Sequence, residues 1–170
     1  MENLKIIIRE ANVADAAALR ELRLEALQDR PEAFGSDYEK ESKDGVADWE
    51  KKLTGQPDNA IFVAVAGSAL VGMTGIGRNK HTKMKHGGYI WGVYVQPAWR
   101  GKNISGQLIE ACVRWSAARS MKFVKLGVVA TNPAAINSYI RSGFRVYGVE
   151  PRVIFYNNVY YDELLMVRDI

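Results

Sequence analysis

Hydrophobic and polar positions change period several times along the chain, and each change marks an element. Leu4, Ile6 and Ile8 alternate with polar neighbours, which predicts a first strand. Asn12, with Asp15 three residues on, suits a helix N-terminus, where a short polar side chain accepts from a free backbone N–H. Leu19, Leu22, Ala26 and Leu27 then follow at helical spacing until Pro31, which has no N–H to donate and stops the helix. From Glu32 to Thr54 the chain is polar, with Phe34, Tyr38, Val46, Trp49 and Leu53 scattered through it. That pattern fits a loop with one or two short helices.

Two apolar runs follow, Ile61 to Ala66 and Ala69 to Gly77, joined by Gly67-Ser68. Glycine supplies the positive φ of a tight hairpin, so the runs predict an antiparallel pair. After a basic connection from Arg78 to His86, Tyr89 to Val95 predicts another strand, and Ile104, Leu108, Cys112 and Trp115 fall on one face of a helix. Phe123 to Ala130 predicts a buried strand, and Pro133 opens a short helix that ends before Gly143. Phe144 to Val149 begins a last strand pair, completed by Val153 to Tyr156 and Tyr160 to Val167. Hairpins mixed with one strand-helix-strand unit make the fold α/β (α+β), with a mixed sheet of six or seven strands, helices on both faces, and one domain over 1–170.

Composition narrows the class. With 170 residues, 48% hydrophobic and 25% charged, the chain can bury a core without disulfides, and disorder, collagen and coiled coil are excluded. The run from Ala60 to Ala66 is far too short to span a membrane, and Leu4 to Ile8 is too short for a signal-peptide core; a cytoplasmic protein is expected. The single cysteine, Cys112, permits no internal disulfide, and His81 and His86 are the only histidines, so no metal centre is expected. Cys112 is read as inert core. A net charge of +4 favours an anionic ligand and points toward phosphates. Arg78, Lys80, Lys83 and Lys85, with the two histidines, form the one dense basic stretch, read as a solvated hairpin loop; no aromatic residues interleave with these charges, and nucleic-acid binding is not expected.

The chemistry concentrates in two segments. In the first, Val93-Tyr94-Val95-Gln96-Pro97-Ala98-Trp99-Arg100-Gly101-Lys102-Asn103-Ile104-Ser105-Gly106, a strand ends, the chain turns, and a helix starts among small residues. A helix N-terminus leaves backbone N–H groups unpaired and carries partial positive charge, so it attracts an anion, and Arg100 and Lys102 add side-chain charge. Neither a nucleotide P-loop nor a dinucleotide glycine fingerprint is present. The second segment is Asn132-Pro133-Ala134-Ala135-Ile136-Asn137-Ser138-Tyr139-Ile140-Arg141-Ser142-Gly143-Phe144.

Together the two segments closely resemble the GNAT superfamily of acyl-CoA-dependent N-acyltransferases. That family has a turn Arg-Gly-x-Gly-x-Gly/Ala opening a helix, then an Asn-x-x-Ala-x-x-x-Tyr-x-x-x-Gly-Phe string; here they read RGKNIS and NPAAINSYIRSGF. The resemblance implies a mostly antiparallel sheet and acetyl-CoA as donor, with coenzyme A as product and no metal. It implies that the backbone of Val93, Tyr94 and Val95 receives the pantetheine arm like an added strand, and that the N–H groups of Arg100, Gly101, Lys102, Asn103, Ile104, Ser105 and Gly106 hold the pyrophosphate. Asn132 would bond the arm, and Tyr139 would aim its hydroxyl at the thioester sulfur as the catalytic residue. Asn103 and Ser105 stand where the family has glycine; asparagine tolerates left-handed backbone better than most residues, and serine is small.

Other expectations are less local. Relatives often place a carboxylate on the strand that ends at Val95, and none is there, so a water chain or a residue from another element must serve, with Glu25, Glu32, His86 and Glu163 as the candidates. Phe34, Tyr38, Trp91 and Tyr160, with Tyr161, are aromatic residues able to stack on a cationic acceptor. The basic stretch from Arg78 to His86 has a second reading, attraction of the coenzyme's 3′-phosphate or of an acidic acceptor. The leading function is N-acetylation of a primary amine on a small molecule; the alternatives are a peptide or protein acceptor, or a catalytically weak CoA-binding regulatory module. Exposed sheet edges and the final hairpin favour a homodimer.

Overall fold

The computed structural model describes residues 5–170, so the expected strand position Leu4 lies outside the described residues. In chain order the elements are β1 (Ile6–Glu10), α1 (Ala16–Asp29), α2 (Tyr38–Glu41), α3 (Val46–Leu53), β2 (Asn59–Ala66), β3 (Ala69–Arg78), β4 (Gly87–Val95), α4 (Ile104–Ala117), β5 (Phe123–Val129), α5 (Pro133–Arg141), β6 (Arg145–Tyr156) and β7 (Val159–Asp169). The strands form a seven-stranded sheet in the order β1-β2-β3-β4-β5-β7-β6. Every neighbouring pair is antiparallel except β4 with β5.

Alternation along the strands divides the core between the two faces. On one face α4 and α5 cover Ile76, Ile90, Val124 and Met166 with Leu108, Ile109 and Cys112. On the other, α1 and α3 cover Val63 and Met73 with Leu19, Leu22 and Trp49. Full burial of such side chains stabilises by about 1.5–3 kcal/mol each. Burial also pushes the Cys112 thiol up to about 12, which keeps it protonated and inert.

The turn into α1 begins at Asn12, whose side chain accepts from the Ala14 N–H at 2.9 Å, while Asp15 accepts from the Asn12 N–H at 2.8 Å. Between them Val13–Asp15 form one tight 3-10 turn. Arg9 from β1 grips both oxygens of the Asp15 carboxylate at 2.7 Å, clamping the first strand to the first helix.

The last strand pair departs from the expected pattern. β6 runs unbroken from Arg145 to Tyr156 instead of pausing after Val149, with register shifts at Val146/Gly148 and Glu150/Ile154. Pro151 has no N–H for the ladder, and Arg152 beside it takes φ 55, so the strand absorbs the proline as a bulge. Asn157 and Asn158, at φ 48 and 61, make the two-residue turn into β7.

Replacing Asp15 with Asn should cost about 2 kcal/mol in urea unfolding, because it breaks a paired carboxylate that also caps a turn. The Arg9 bond, helped by the Asn12 N–H, holds the Asp15 pKa below the ordinary carboxylate range although burial opposes it. Its contribution is therefore complete above the unfolded pKa of about 4 and is lost as pH falls through the lower folded value. The gap between wild type and variant should close in acid.

Candidate functional site

β4 and β5 part company after three residue pairs, Gly87 to Tyr89 with Phe123 to Lys125. The reason lies in β4 itself. Gly92 holds φ +63, and the β3 partners jump from Trp91 to Tyr94 between Gly75 and Met73, so β4 carries an extra residue against β3. A bulge bends its strand, and the end of β4, Val93 to Val95, has no β5 partner. The opened sheet leads into a cleft of about 1110 Å³ lined by Val93, Tyr94 and Val95 on one wall and by α4 and α5 on the others.

The turn after β4 is built to reach the cleft. Pro97–Trp99 form a 3-10 turn, Gly101 takes φ +79, and Asn103 sits at φ 55 and ψ 26, the left-handed geometry for which asparagine is suited. Asn103 makes no side-chain cap, and the first α4 backbone bond runs from Gln107 N–H to the Asn103 carbonyl at 3.1 Å. Ile104, Ser105 and Gly106 thus line the cleft at a helix end whose N–H groups have no partner within the helix. Arg100 is tied down, its Nε donating to the Val95 carbonyl at 2.9 Å and its guanidinium paired with Asp29. The Val95 carbonyl thus already accepts one hydrogen bond from within the chain. Lys102 does not line the cleft; its ammonium lies 4.6 Å from the Trp99 ring.

From the facing wall, Asn132 caps α5 by accepting from the Ala135 N–H at 3.2 Å. One turn further on, Ser138 shares a hydrogen bond with Ser105 at 3.0 Å, which joins α5 to the start of α4. Tyr139 lies beside it, 7% exposed, its ring 6.3 Å from that of Phe144. Burial, and secondarily Tyr89, pushes the Tyr139 hydroxyl well above the ordinary tyrosine range, so it stays protonated and keeps a proton to donate.

Among the expected aromatic residues, only Phe34 lines the cleft, under the guanidinium of Arg23, which binds Glu41 at 2.9 Å. Trp91 packs into the α1-side core across Gly75, Tyr38 is an exposed residue of α2, and Tyr160 stacks on Phe155 near the hairpin tip, so the structure does not bring these three to the cleft. The basic stretch from Arg78 to His86 lies at the closed end of β4, away from it. Sequence reasoning passed over Ser138, Arg114 and Arg141 as cleft residues. Gln107, Glu110 and Arg114 recur at helical spacing opposite the apolar face of α4, a signal that could have found this wall. Among the described residues, no group of three or more His, Cys, Asp or Glu is placed to hold a metal, and no helix is long and apolar enough to cross a membrane.

Solved structures share this architecture over nearly the whole chain. A GNAT-family acetyltransferase from Streptococcus pneumoniae superposes with a TM-score of 0.87 at 22% identity, covering 98% of this chain and 100% of its own. A phosphinothricin acetyltransferase from Sinorhizobium meliloti, solved with acetyl-CoA, gives 0.83 at 18% identity, covering 97% and 88%. A ribosomal-protein-alanine N-acetyltransferase from Brucella melitensis gives 0.79 at 22% identity, covering 96% and 99%. No curated protein sequence matches. The model of the acetyltransferase (GNAT) family matches residues 18–144, a span that runs from α1 through the split sheet to Phe144. The chain belongs to the GNAT family of acetyltransferases, enzymes that take their acetyl group from acetyl-CoA.

Proposed function

We propose that the protein transfers acetyl from acetyl-CoA to a primary amine on a small molecule by direct attack, without a covalent enzyme intermediate. In this reading the pantetheine arm occupies the split, along Val93 to Val95 and beside Asn132. The pyrophosphate sits on the N–H groups from Gly101 to Gly106, with Arg114 and Arg141 contributing positive charge from the same cleft.

The observation that carries the small-molecule reading is the course of the chain after α1. Its Pro31–Ala33 turn lies beside both β5 and β6, and Arg30, Ala33 and Phe34 line the cleft there. A peptide acceptor would need an open groove there, and a turn occupying that side supports a compact amine instead. The solved relatives do not choose between these acceptors, since one is named for a ribosomal protein and another for phosphinothricin.

The energetic demand is simple. An amine of pKa about 10.4 is neutral in roughly one molecule per thousand near pH 7.4, so removing its proton at the site is worth at most about 4 kcal/mol. The leaving thiolate needs little help, and the protonated Tyr139 hydroxyl supplies a hydrogen bond and then a proton to the sulfur. Tyr139 assists the departure of coenzyme A more than it enables attack.

Thiol release from acetyl-CoA over a set of primary amines tests the reading, and Tyr139→Phe should lower turnover by about ten- to a thousandfold with little change in coenzyme affinity. Equal turnover would remove Tyr139 from the chemistry. A separate test addresses the pyrophosphate loop. A Cβ on Gly106 would collide with the Asn103 side chain. Gly106→Ala should therefore weaken coenzyme A binding about tenfold in calorimetry, about 1.4 kcal/mol, and adding Asn103→Gly should restore most of the loss.

A further inference from the structure

The four candidate proton acceptors occupy different places. His86 precedes β4 at its closed end, edge-on to Phe123 with ring centroids 5.4 Å apart. Glu25 is engaged by the Tyr94 hydroxyl at 3.1 Å and by Gln96 at 2.7 Å, holding α1 to the end of β4. Glu32 lies 3.7 Å from Arg30. Glu163 is different: half-buried on β7, it has no hydrogen bond or ion pair among the described residues.

Its position follows from strand alternation. Leu164 and Met166 face α4, so Glu163 faces the opposite side, as do Gly127 on β5 and Tyr89 on β4, whose neighbours Val128 and Ile90 are in the α4-side core. A Cβ on Gly127 would meet Oε2 of Glu163 at 2.7 Å and the Tyr89 hydroxyl at 3.3 Å, so both side chains converge over the one β5 position that has no side chain. Tyr89 is the last β4 residue paired with β5, and therefore stands where the split begins. Tyr139 lines the cleft from the α4 face of the sheet, and Glu163 lies on the opposite face beside the start of the split, outside the lining of the cleft itself.

The surroundings call for a cation. Glu150 on β6 is directly opposite Glu163, and like charges so placed cost stability. From β5, Lys125 is the basic group on this face, but its ammonium lies over the rings of Phe123 and Tyr147, at 5.2 and 4.9 Å. Tyr89 from β4 and Tyr147 from β6 belong to the same cluster, Tyr161 is two residues away on β7, and the turn beside β5 and β6 carries Glu32 with its partner Arg30.

Resting on the amine-transfer reading, we propose that Glu163 is the general base, taking the proton of the acceptor's ammonium group from the face opposite Tyr139, and that the acceptor is a cation drawn in by Glu163 and Glu150. The ammonium gives one proton to the Glu163 carboxylate. The neutral nitrogen then adds to the thioester carbonyl, forming C–N, and the C–S bond breaks. The sulfur takes its proton from Tyr139, which recovers one from the nitrogen of the new amide, and Glu163 returns its proton to solvent. Burial first, and then Glu150, raises the Glu163 pKa toward the working range of a base.

Wild type, Glu163→Gln and Glu163→Asp would be assayed for thiol release with ethanolamine, putrescine, lysine and tyramine across pH, with acetyl-CoA affinity and melting temperature measured in parallel. The expected result for Gln is a loss of about a hundredfold in kcat near neutral pH with coenzyme affinity unchanged, and activity that climbs with pH as the amine ionises by itself. Asp should recover part of the rate. Because the folded protein disfavours the charged form of Glu163, Gln should leave the melting temperature unchanged or higher. A Gln variant within about threefold of wild type at every pH would overturn the assignment while leaving the amine-transfer reading intact. A wild type that binds acetyl-CoA and acetylates none of these amines would overturn that reading, and the role of Glu163 with it.

Discussion

Gly92, held at φ +63 midway along β4, is the constraint from which the site is built. By bulging against β3 it turns Val93 to Val95 away from β5, so that a parallel pair begun at Gly87 ends at Tyr89. In a continuous sheet these backbone groups would be spent on ladder hydrogen bonds. Here they line a cleft that an extended ligand arm can enter as a missing strand would. The split also connects the two faces of the sheet, which are otherwise separated by packed side chains.

The elements around the split are locked so that it persists. Glu25 ties α1 to the end of β4 through Tyr94 and Gln96, and Arg100 ties the following turn to Val95 and Asp29. Ser105 and Ser138 join the start of α4 to the body of α5, the two helices that line the cleft, and Arg168 fastens β7 to Glu110 and the Ser142 carbonyl. A site preorganised in this way loses little conformational entropy when the donor binds.

Most of the architecture was readable because its signals are local. Alternation at Ile6 and Ile8, the Gly67-Ser68 hairpin, and the helical recurrence of Leu108, Cys112 and Trp115 each depend on neighbours within a few residues. The left-handed backbone at Asn103 falls where the resembled family has glycine, at a residue that tolerates it. Less visible were features that arise between distant segments. That Glu25 is bound by β4 and Glu163 is not depends on strand order, and the unbroken β6 depends on pairing with β7 across Pro151. Trp91 and Tyr160 could be picked out as aromatic, but only the fold decides that one fills the core against Gly75 and the other stacks at a hairpin tip.

The most direct test of the account is a crystal structure of the protein with acetyl-CoA. The thioester should lie in the opening between β4 and β5, with the pantetheine arm bonded to the backbone of the Val93 to Val95 segment and the Tyr139 hydroxyl within hydrogen-bond distance of the sulfur. Coenzyme bound elsewhere, or a sheet that closes so that Val93 to Val95 pair with β5, would contradict it.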